Sequence, residues 1–259
     1  MLKRSGLRFA EFDGRDFEFL PDPEQPVGSA LDSAVELDHE FPVWDQRSVP
    51  CCVSCAVTLC METLDQKIPP ATRLSPLFHY FAARPDPEVL GAMTVRQGLR
   101  TATGVGVCPL QAHDRTFDRA GAVDPPLPDA FDQAADRKLI FYDAARKKVE
   151  YYRVFDTDRV NQCRQALFER KPVLIAIYAT PEYLALTSGN DVHPAPGPYV
   201  TANGHAAVLI GFDDAPRLFR VKDSRGAAFG DNGAWWLPYQ LLAAPLVEEA
   251  WVVGRVNYD

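Results

Sequence analysis

The stretch that most constrains this chain runs from Val43 to Leu64 and reads VWDQRSVPCCVSCAVTLCMETL. Apolar residues recur at helical spacing along its second part and predict a helix with a buried face. They are Val53, Ala56, Val57, Cys60, Met61 and Leu64. One glutamine and four cysteines gather around the start of that helix. Because backbone N–H groups and the helix dipole favour an anion there, the stretch predicts a thiolate nucleophile.

Composition narrows the class of partner. The chain has 259 residues, is 47% hydrophobic and carries a net charge of -8. It can therefore bury a large core, and nucleic acid or an anionic membrane is disfavoured as a partner. A peptide or a small molecule is favoured instead as the ligand. Nowhere do about 18 apolar residues follow one another, so we expect neither a signal peptide nor a membrane span.

The positions of the cysteines indicate a reducing compartment. Four of the six lie between Cys51 and Cys60, whereas a framework of extracellular disulfides would spread them along the chain. We therefore expect reduced thiols and a cytoplasmic protein.

The order of predicted elements is helices first and strands second. Residues 1–44 are polar and irregular and predict an N-terminal arm. Ser75 and Thr94 have the character of helix caps and open second and third helices, and short helices are predicted near 129–137 and 157–170. Strands are predicted at 172–178, 205–212, 217–222, 234–237 and 249–256. The connection 187–204 is long and polar, which is typical of a loop near a site.

Four segments in this order resemble the papain family of cysteine peptidases, and in particular its compact bacterial branch without a long propeptide. They are VWDQRSVPCCVSCAV, LSPLFHYFAAR, GHAAVLIGFDD and KDSRGAAFGDNGAWWLPY. The resemblance implies an α+β fold of two lobes with a cleft between them. A helical lobe at about 45–125 would pack against an antiparallel β-sheet or barrel lobe at about 140–259, and the substrate would be a peptide or protein. A separate hypothesis is that the arm 1–44 lies along the cleft and limits access to it.

By the same resemblance, His205 activates the nucleophile and Gln46 stabilises the oxyanion, together with a backbone N–H. The nucleophile of the family stands six positions after the glutamine, which selects Cys52. The string Ser54-Cys55-Ala56 also resembles the family motif, but Cys55 would lie one turn inside the helix, where free N–H groups run out. We therefore expect Cys55 to be a buried helix residue.

A metal-binding or redox site is the alternative interpretation of the cysteine cluster. Cys52 and Cys55 form C-x-x-C, yet no second C-x-x-C or spaced histidine pair accompanies them. The sequence therefore implies no metal and no cofactor. We interpret His39, His79, His113 and His193 as surface or packing residues.

Downstream the chain departs from the family pattern. Asp223 stands where the family has asparagine and is expected to orient the imidazole of His205. Arg225 replaces the tryptophan that shields this bond in the family. As a functional residue it would pair with Asp223 or bind an acidic group of the substrate, and the alternative is an exposed arginine at a turn. We expect Gly91, Ala92 and Gly204 to contact a peptide substrate along the cleft, and the pair Trp235–Trp236 to be core.

The predicted function is thiol-dependent hydrolysis of peptide bonds through a Cys-His-Asp site. Two alternatives stay open. One is an acyl transferase or peptide ligase with the same fold. The other is a catalytically weak relative that acts as a binding module, as the substitutions at Pro50, Cys51, Asp223 and Arg225 would suit.

Overall fold

The computed structural model describes residues 6–20, 33–37, 39, 41–65, 72–143, 146–149, 151–155, 158–195, 197, 203–242 and 246–258. Its helices are α1 Cys52–Asp65, α2 Pro76–Ala83, α3 Val95–Gly104, α4 Arg119–Val123, α5 Pro128–Ala135, α6 Arg159–Phe168, α7 Pro181–Leu184 and α8 Tyr239–Leu242. Its strands are β1 Ala34–Glu36, β2 Arg137–Lys138, β3 Ile140–Asp143, β4 Arg146–Val149, β5 Tyr151–Val154, β6 Val173–Tyr178, β7 Gly204–Asp213, β8 Leu218–Lys222, β9 Ala234–Pro238, β10 Val247–Val253 and β11 Asn257–Tyr258.

The first three helices begin where the sequence predicts, whereas α4, α7 and α8 were not predicted. Ser75 accepts a hydrogen bond from the N–H of Phe78, and Thr94 accepts one from the N–H of Gln97, so both predicted caps are confirmed. Helix α1 begins at Cys52. It is buried on every side rather than on one face, because α2 and α3 cover one side and β7 covers the other.

The main sheet is antiparallel, with the strand order β5-β10-β6-β7-β8-β9 and β1 added beside β7. The five predicted strands are all present, and the expectation of an α+β fold with an antiparallel sheet is confirmed. The sheet is open: its path of paired strands does not return on itself to make a barrel. Strand β5, which pairs with β10, and strand β1 were not predicted.

Antiparallel pairing brings the ends of three strands to one place. His205 lies at the start of β7, opposite Ile177 of β6. Asp223 directly follows β8, whose last residue Lys222 pairs with Ala234 of β9. In an antiparallel sheet the start of one strand lies beside the end of its neighbour. The register therefore places residues that are far apart in the chain close together at one end of the central strands, next to the start of α1.

The N-terminal arm is more ordered than the sequence predicts. Leu7 makes bridges to Met93, which precedes α3, and to Gly204, which opens β7. The N–H of Phe19 donates to the carbonyl of Arg153, and β1 pairs with β7. Residues 21–32 of the predicted arm lie outside the described residues, as do 196 and 198–202 of the predicted connection 187–204.

Candidate active site

Cys52 is the first residue of α1, where backbone N–H groups have no partner within the helix. Its side chain is completely buried. Cys55 lies one turn further, and its N–H already donates to the carbonyl of Cys51 at 3.0 Å. Burial, followed by the hydrogen bond with Cys51, raises the pKa of Cys55 well above its ordinary value. The Cys55 thiol is therefore neutral, and of the two residues Cys52 has the geometry of a nucleophile.

His205 and Asp223 form a buried ion pair. The imidazole Nε2 lies 2.8 Å from Oδ1 of Asp223, so Nε2 carries the proton and Nδ1 is the ring atom available to Cys52. Burial disfavours the imidazolium, but the charge and hydrogen bond of Asp223, with a further hydrogen bond to Cys52, raise the pKa of His205. The structure thus makes Cys52 and Asp223 the two side-chain hydrogen-bond partners of His205.

Four hydrogen bonds reach the carboxylate of Asp223. Oδ1 accepts from His205 and from the N–H of Ser224 at 2.7 Å. Oδ2 accepts from the hydroxyl of Tyr183 at 2.9 Å and from the indole N–H of Trp235 at 3.1 Å. Burial opposes ionisation of Asp223, yet His205, Tyr183 and Ser224 outweigh it and lower the pKa of the carboxyl.

These donors account for the aspartate in place of asparagine. An asparagine has one acceptor oxygen and an NH₂ group that only donates. Whichever way such an amide turned, its NH₂ would face donors: the Tyr183 hydroxyl and Trp235 N–H on one side, or the Ser224 N–H on the other. A carboxylate alone can accept on both sides.

Gln46 is held beside the start of α1 by its neighbours. Its backbone N–H donates to the carbonyl of Ser224, and its side-chain oxygen accepts from the Ser224 hydroxyl at 2.6 Å. One amide hydrogen goes to the carbonyl of Val49 at 3.0 Å. The amide has a second hydrogen, and the Gln46 side chain lies just before the turn that leads into Cys52.

Of the residues expected to contact a peptide, Gly204 lies beside the N-terminal arm, in a groove whose other side is formed by Met93. The N–H and the carbonyl of Met93 both bond to the arm, to the Gly6 carbonyl and the Arg8 N–H. Gly204 faces Leu7 on the opposite side. Gly91 bonds through both its backbone groups to the hydroxyl of Tyr80, and Ala92 is half-buried between Gly91 and Met93.

Arg225 lies over aromatic rings. Its guanidinium carbon is 4.9 Å from the centre of the Phe229 ring and 5.6 Å from that of Tyr183. Its Nε is buried without a hydrogen bond, and no ion pair joins Arg225 to Asp223 among the described contacts. Of the two roles expected for Arg225, the pairing with Asp223 is therefore absent there.

All six cysteines are free and buried. In the described part of the chain, no group of three or more His, Cys, Asp or Glu side chains is arranged to hold a metal ion. Likewise, none of the helices described has both the length and the apolarity that crossing a bilayer requires. His39, one of the expected packing histidines, lies 3.0 Å from the buried Glu62 of α1.

Two residues of this site were missed by sequence reasoning. Trp235 was expected to be a core residue, and it is completely buried, but its indole N–H also donates a hydrogen bond to Asp223. Tyr183 belongs to the four-residue helix α7, which has too few residues to show a periodic pattern. The only local signal is Thr180-Pro181, a cap followed by a first-turn proline, which indicates the helix and not the role of the tyrosine.

The fold and the site together define a class: the chain has the papain-like fold, and it resembles the papain-like cysteine peptidases. No protein-family model matches it. It is similar to the crystal structure of xylellain, a cysteine protease from Xylella fastidiosa, with 23% identity and a TM-score of 0.83 over 98% of this chain and 97% of that one. It is also similar to procathepsin B S9 from Trypanosoma congolense, with 10% identity and a TM-score of 0.73 over 99% of this chain and 87% of that one.

One curated relative supports the same class. An uncharacterised peptidase C1-like protein of Acanthamoeba polyphaga mimivirus is 26% identical over 167 residues, which are 63% of this chain and 52% of that protein. The matched part thus spans about half the length of that relative.

Proposed function

We propose that this protein is a thiol peptidase that hydrolyses peptide bonds. The observation that carries the proposal is a histidine hydrogen-bonded both to a cysteine at a helix start and to a buried carboxylate. His205 bonds to Asp223 through Nε2 and to Cys52 on its other side. A thiol is mostly protonated at neutral pH, and both an imidazolium and a helix N-terminus favour its thiolate.

In the proposed reaction the Cys52 sulfur attacks the carbonyl carbon of the substrate and forms a C–S bond while the carbonyl oxygen becomes an oxyanion. The free amide hydrogen of Gln46 and the backbone N–H of Cys52 donate to that oxygen. His205 then gives its proton to the leaving amine as the C–N bond breaks. Water, deprotonated by His205, attacks the thioester, releases the carboxylic acid and returns the thiol proton to the Cys52–His205 pair.

We further propose that a substrate peptide follows the path of the arm. Met93 and Gly204 offer backbone groups on the two sides of the groove, and Gly91 and Ala92 form its rim on the helical side. Arg225, next to the His205 side of the site, would contact the part of the substrate beyond the cleaved bond and favour an acidic group there. The free, buried thiols suit a reducing compartment such as the cytoplasm.

The arm then limits access to Cys52. Residues 6–8 occupy the groove, and a Cβ on Gly6 would approach the carbonyl of Pro50 to 2.5 Å and the N–H nitrogen of Cys51 to 2.9 Å. The arm backbone therefore passes directly over the turn that leads into the nucleophile. We propose that residues 6–20 are an inhibitory strap, a name used below for this segment.

Labelling with iodoacetamide tests the proposal, since this reagent is small enough to follow brief openings of the strap. We expect one fast adduct at pH 6 to 7, mapped to Cys52 by mass spectrometry, and a rate above that of a free thiol. Cys52→Ala should lower the fast rate by about three orders of magnitude, whereas Cys55→Ala should leave it unchanged. If no cysteine of the wild type, or of a variant with an opened strap, reacts faster than a free thiol, the protein is a binding module and not a peptidase.

Product analysis separates hydrolysis from acyl transfer. A peptide ester is supplied together with an added amine, and both routes pass through the same thioester on Cys52. We expect the free acid as the main product. A predominance of the amide would identify the protein as a transferase or ligase with the same site.

A further inference from the structure

Tyr183 and Trp235 take no direct part in the proposed reaction, yet both donate to the same oxygen of Asp223. The side chains of all three residues are buried. We propose that Tyr183 is a positioning residue, which together with Trp235 fixes the Asp223 carboxylate and sets the pH range in which the Cys52–His205 pair reacts. This inference rests on the proposed function.

The fold brings Tyr183 to the site. Strand β6 ends beside His205, and Thr180 follows it and caps α7 by accepting from the N–H of Tyr183 at 3.2 Å. The short helix turns the tyrosine back over the end of the sheet. The ring centres of Tyr183 and His205 are then 5.4 Å apart.

Tyr183 also covers the bond between His205 and Asp223. The sequence departs from the family pattern by having Arg225 where a tryptophan would shield that bond. Here the Tyr183 ring lies against the imidazole, and the guanidinium of Arg225 lies over the Tyr183 ring. In this chain the Tyr183 ring and the Arg225 guanidinium therefore cover one side of the imidazole.

The direction of each hydrogen bond is fixed by chemistry. The Trp235 indole nitrogen can only donate, and an ionised carboxylate can only accept. Burial, and then the charge of Asp223, raise the pKa of Tyr183 well above its ordinary value, so its hydroxyl stays protonated. Both donors thus point their positive ends toward the pair formed by Asp223 and His205.

A positive potential at this place favours the deprotonated form of every neighbouring group. The titratable and charged groups that face His205 and Tyr183 are Asp223, Cys52, Cys55 and Arg225. Asp223 stabilises the imidazolium, and the two donors moderate that effect. Removing the Tyr183 hydroxyl should therefore raise the pKa of His205 and shift the reactive range to higher pH.

The test compares Tyr183→Phe with Tyr239→Phe. Tyr239 is also buried and donates to a carboxylate, Asp214, at 2.8 Å, but it lies away from the site. We expect Tyr183→Phe to move the His205 titration, followed by NMR of the imidazole, upward by about half a pH unit or more. Tyr239→Phe should leave it in place. The acid limb of the iodoacetamide rate should move in the same direction.

A second variant should shift the His205 titration in the opposite direction, and it requires little rearrangement of the protein around residue 183. Replacing Tyr183 by 3-fluorotyrosine keeps the ring and makes its hydroxyl a stronger donor, so the His205 titration should move to lower pH. An unchanged titration in both Tyr183 proteins, or an equal shift in Tyr239→Phe, overturns the inference. The NMR readout does not depend on turnover, and a failure of the proposed function appears separately, as the absence of a fast-reacting cysteine in the wild type.

Discussion

At the scale of single residues, Asp223 shows how a site constrains its own composition. Four donors from four different residues surround its two oxygens. If the carboxylate became an amide, the donors on one of its two sides would lose their acceptor and face an NH₂ group. Tyr183 and Trp235 therefore donate to an aspartate at the position where the family has asparagine. The aspartate gives His205 a negatively charged partner.

Asp223→Asn should consequently be damaging in spite of its similar shape. It removes the charge that stabilises the imidazolium and leaves buried donors without an acceptor, at a cost of about 1–3 kcal/mol each. We expect a lower free energy of unfolding in urea and a kcat/KM reduced by about 100-fold or more.

A double-mutant cycle identifies the cause. Trp235→Phe removes one of the unmatched donors, so Asp223→Asn combined with Trp235→Phe should be less destabilised than the sum of the single variants. Strict additivity would show that the donors do not determine the aspartate.

The stability difference between the wild type and Asp223→Asn should also depend on pH. Because the pKa of folded His205 is raised, its contribution is fully present below its ordinary pKa of about 6.5 and is lost as pH rises through the folded value. The pKa of Asp223 is lowered, so its contribution is present above about 3.9 and is lost as pH falls through the folded value. Urea unfolding should therefore show the largest difference between about pH 4 and 6.5.

At the scale of elements, the sequence predicts those whose signals are local. Ser75 and Thr94 predict the starts of α2 and α3 because a cap bonds to N–H groups only two or three residues away. Strand β7 is a long apolar run and was predicted for that reason. Cys52 and His205 lie on such elements, Asp223 directly follows β8, and Gln46 lies in the loop before α1. The resemblance supplied their order.

Elements defined by distant partners escape prediction. Strand β5 depends on pairing with β10 and on contact with Glu18 of the strap. The role of Tyr183 depends on a bond to Asp223, forty residues away, which no local pattern contains. Likewise, the fit of the strap is decided by the space at Gly6, and a sequence shows a glycine without showing what lies beside it.

That space permits a test of the strap. In Gly6→Ala the added methyl group would overlap the carbonyl of Pro50, which is backbone and cannot turn away. We expect the strap to leave the groove, and the turnover of a small peptide substrate to rise severalfold. Gly14→Ala is the matched control, because a Cβ at that position meets only Phe12, at 3.9 Å. Equal rates for the wild type and Gly6→Ala would show that the strap does not inhibit.

At the scale of the whole molecule, the strap joins the helices to the sheet. The carboxylate of Asp16 bonds to Arg96 of α3 and to Arg153 of β5, at 2.5 and 3.2 Å. The three side chains are largely buried. Arg96 is thus a structural ion-pair residue whose partner belongs to the arm.

Asp16→Asn should loosen this connection. Two arginines would then face each other without an anion, and the loss of charge-assisted hydrogen bonds would weaken strap docking by about 2 kcal/mol. We expect higher turnover of a peptide substrate, and a smaller salt-induced rise in turnover than the wild type shows.

The control for this prediction is Asp13→Asn. It makes the same change in charge on the same arm, at a carboxylate that lies 2.7 Å from Arg15 of the arm and 4.0 Å from Arg100 of α3, and so is joined to the helices only weakly. If Asp13→Asn raises turnover as much as Asp16→Asn, net charge rather than the bridge controls the strap.

The pairing of β1 with β7 has a further consequence for such an inhibitor. Because β1 anchors the chain on the far side of the strap, a released strap stays within reach of the groove. Its effective concentration is then on the order of millimolar, whatever the concentration of the protein. Dilution cannot free the site, and a peptide present at micromolar levels would have to bind about a thousandfold more tightly than the strap to displace it. In this proposal only a peptide that binds more tightly than a minimum affinity can displace the strap, so weakly bound peptides are excluded before any bond is cut.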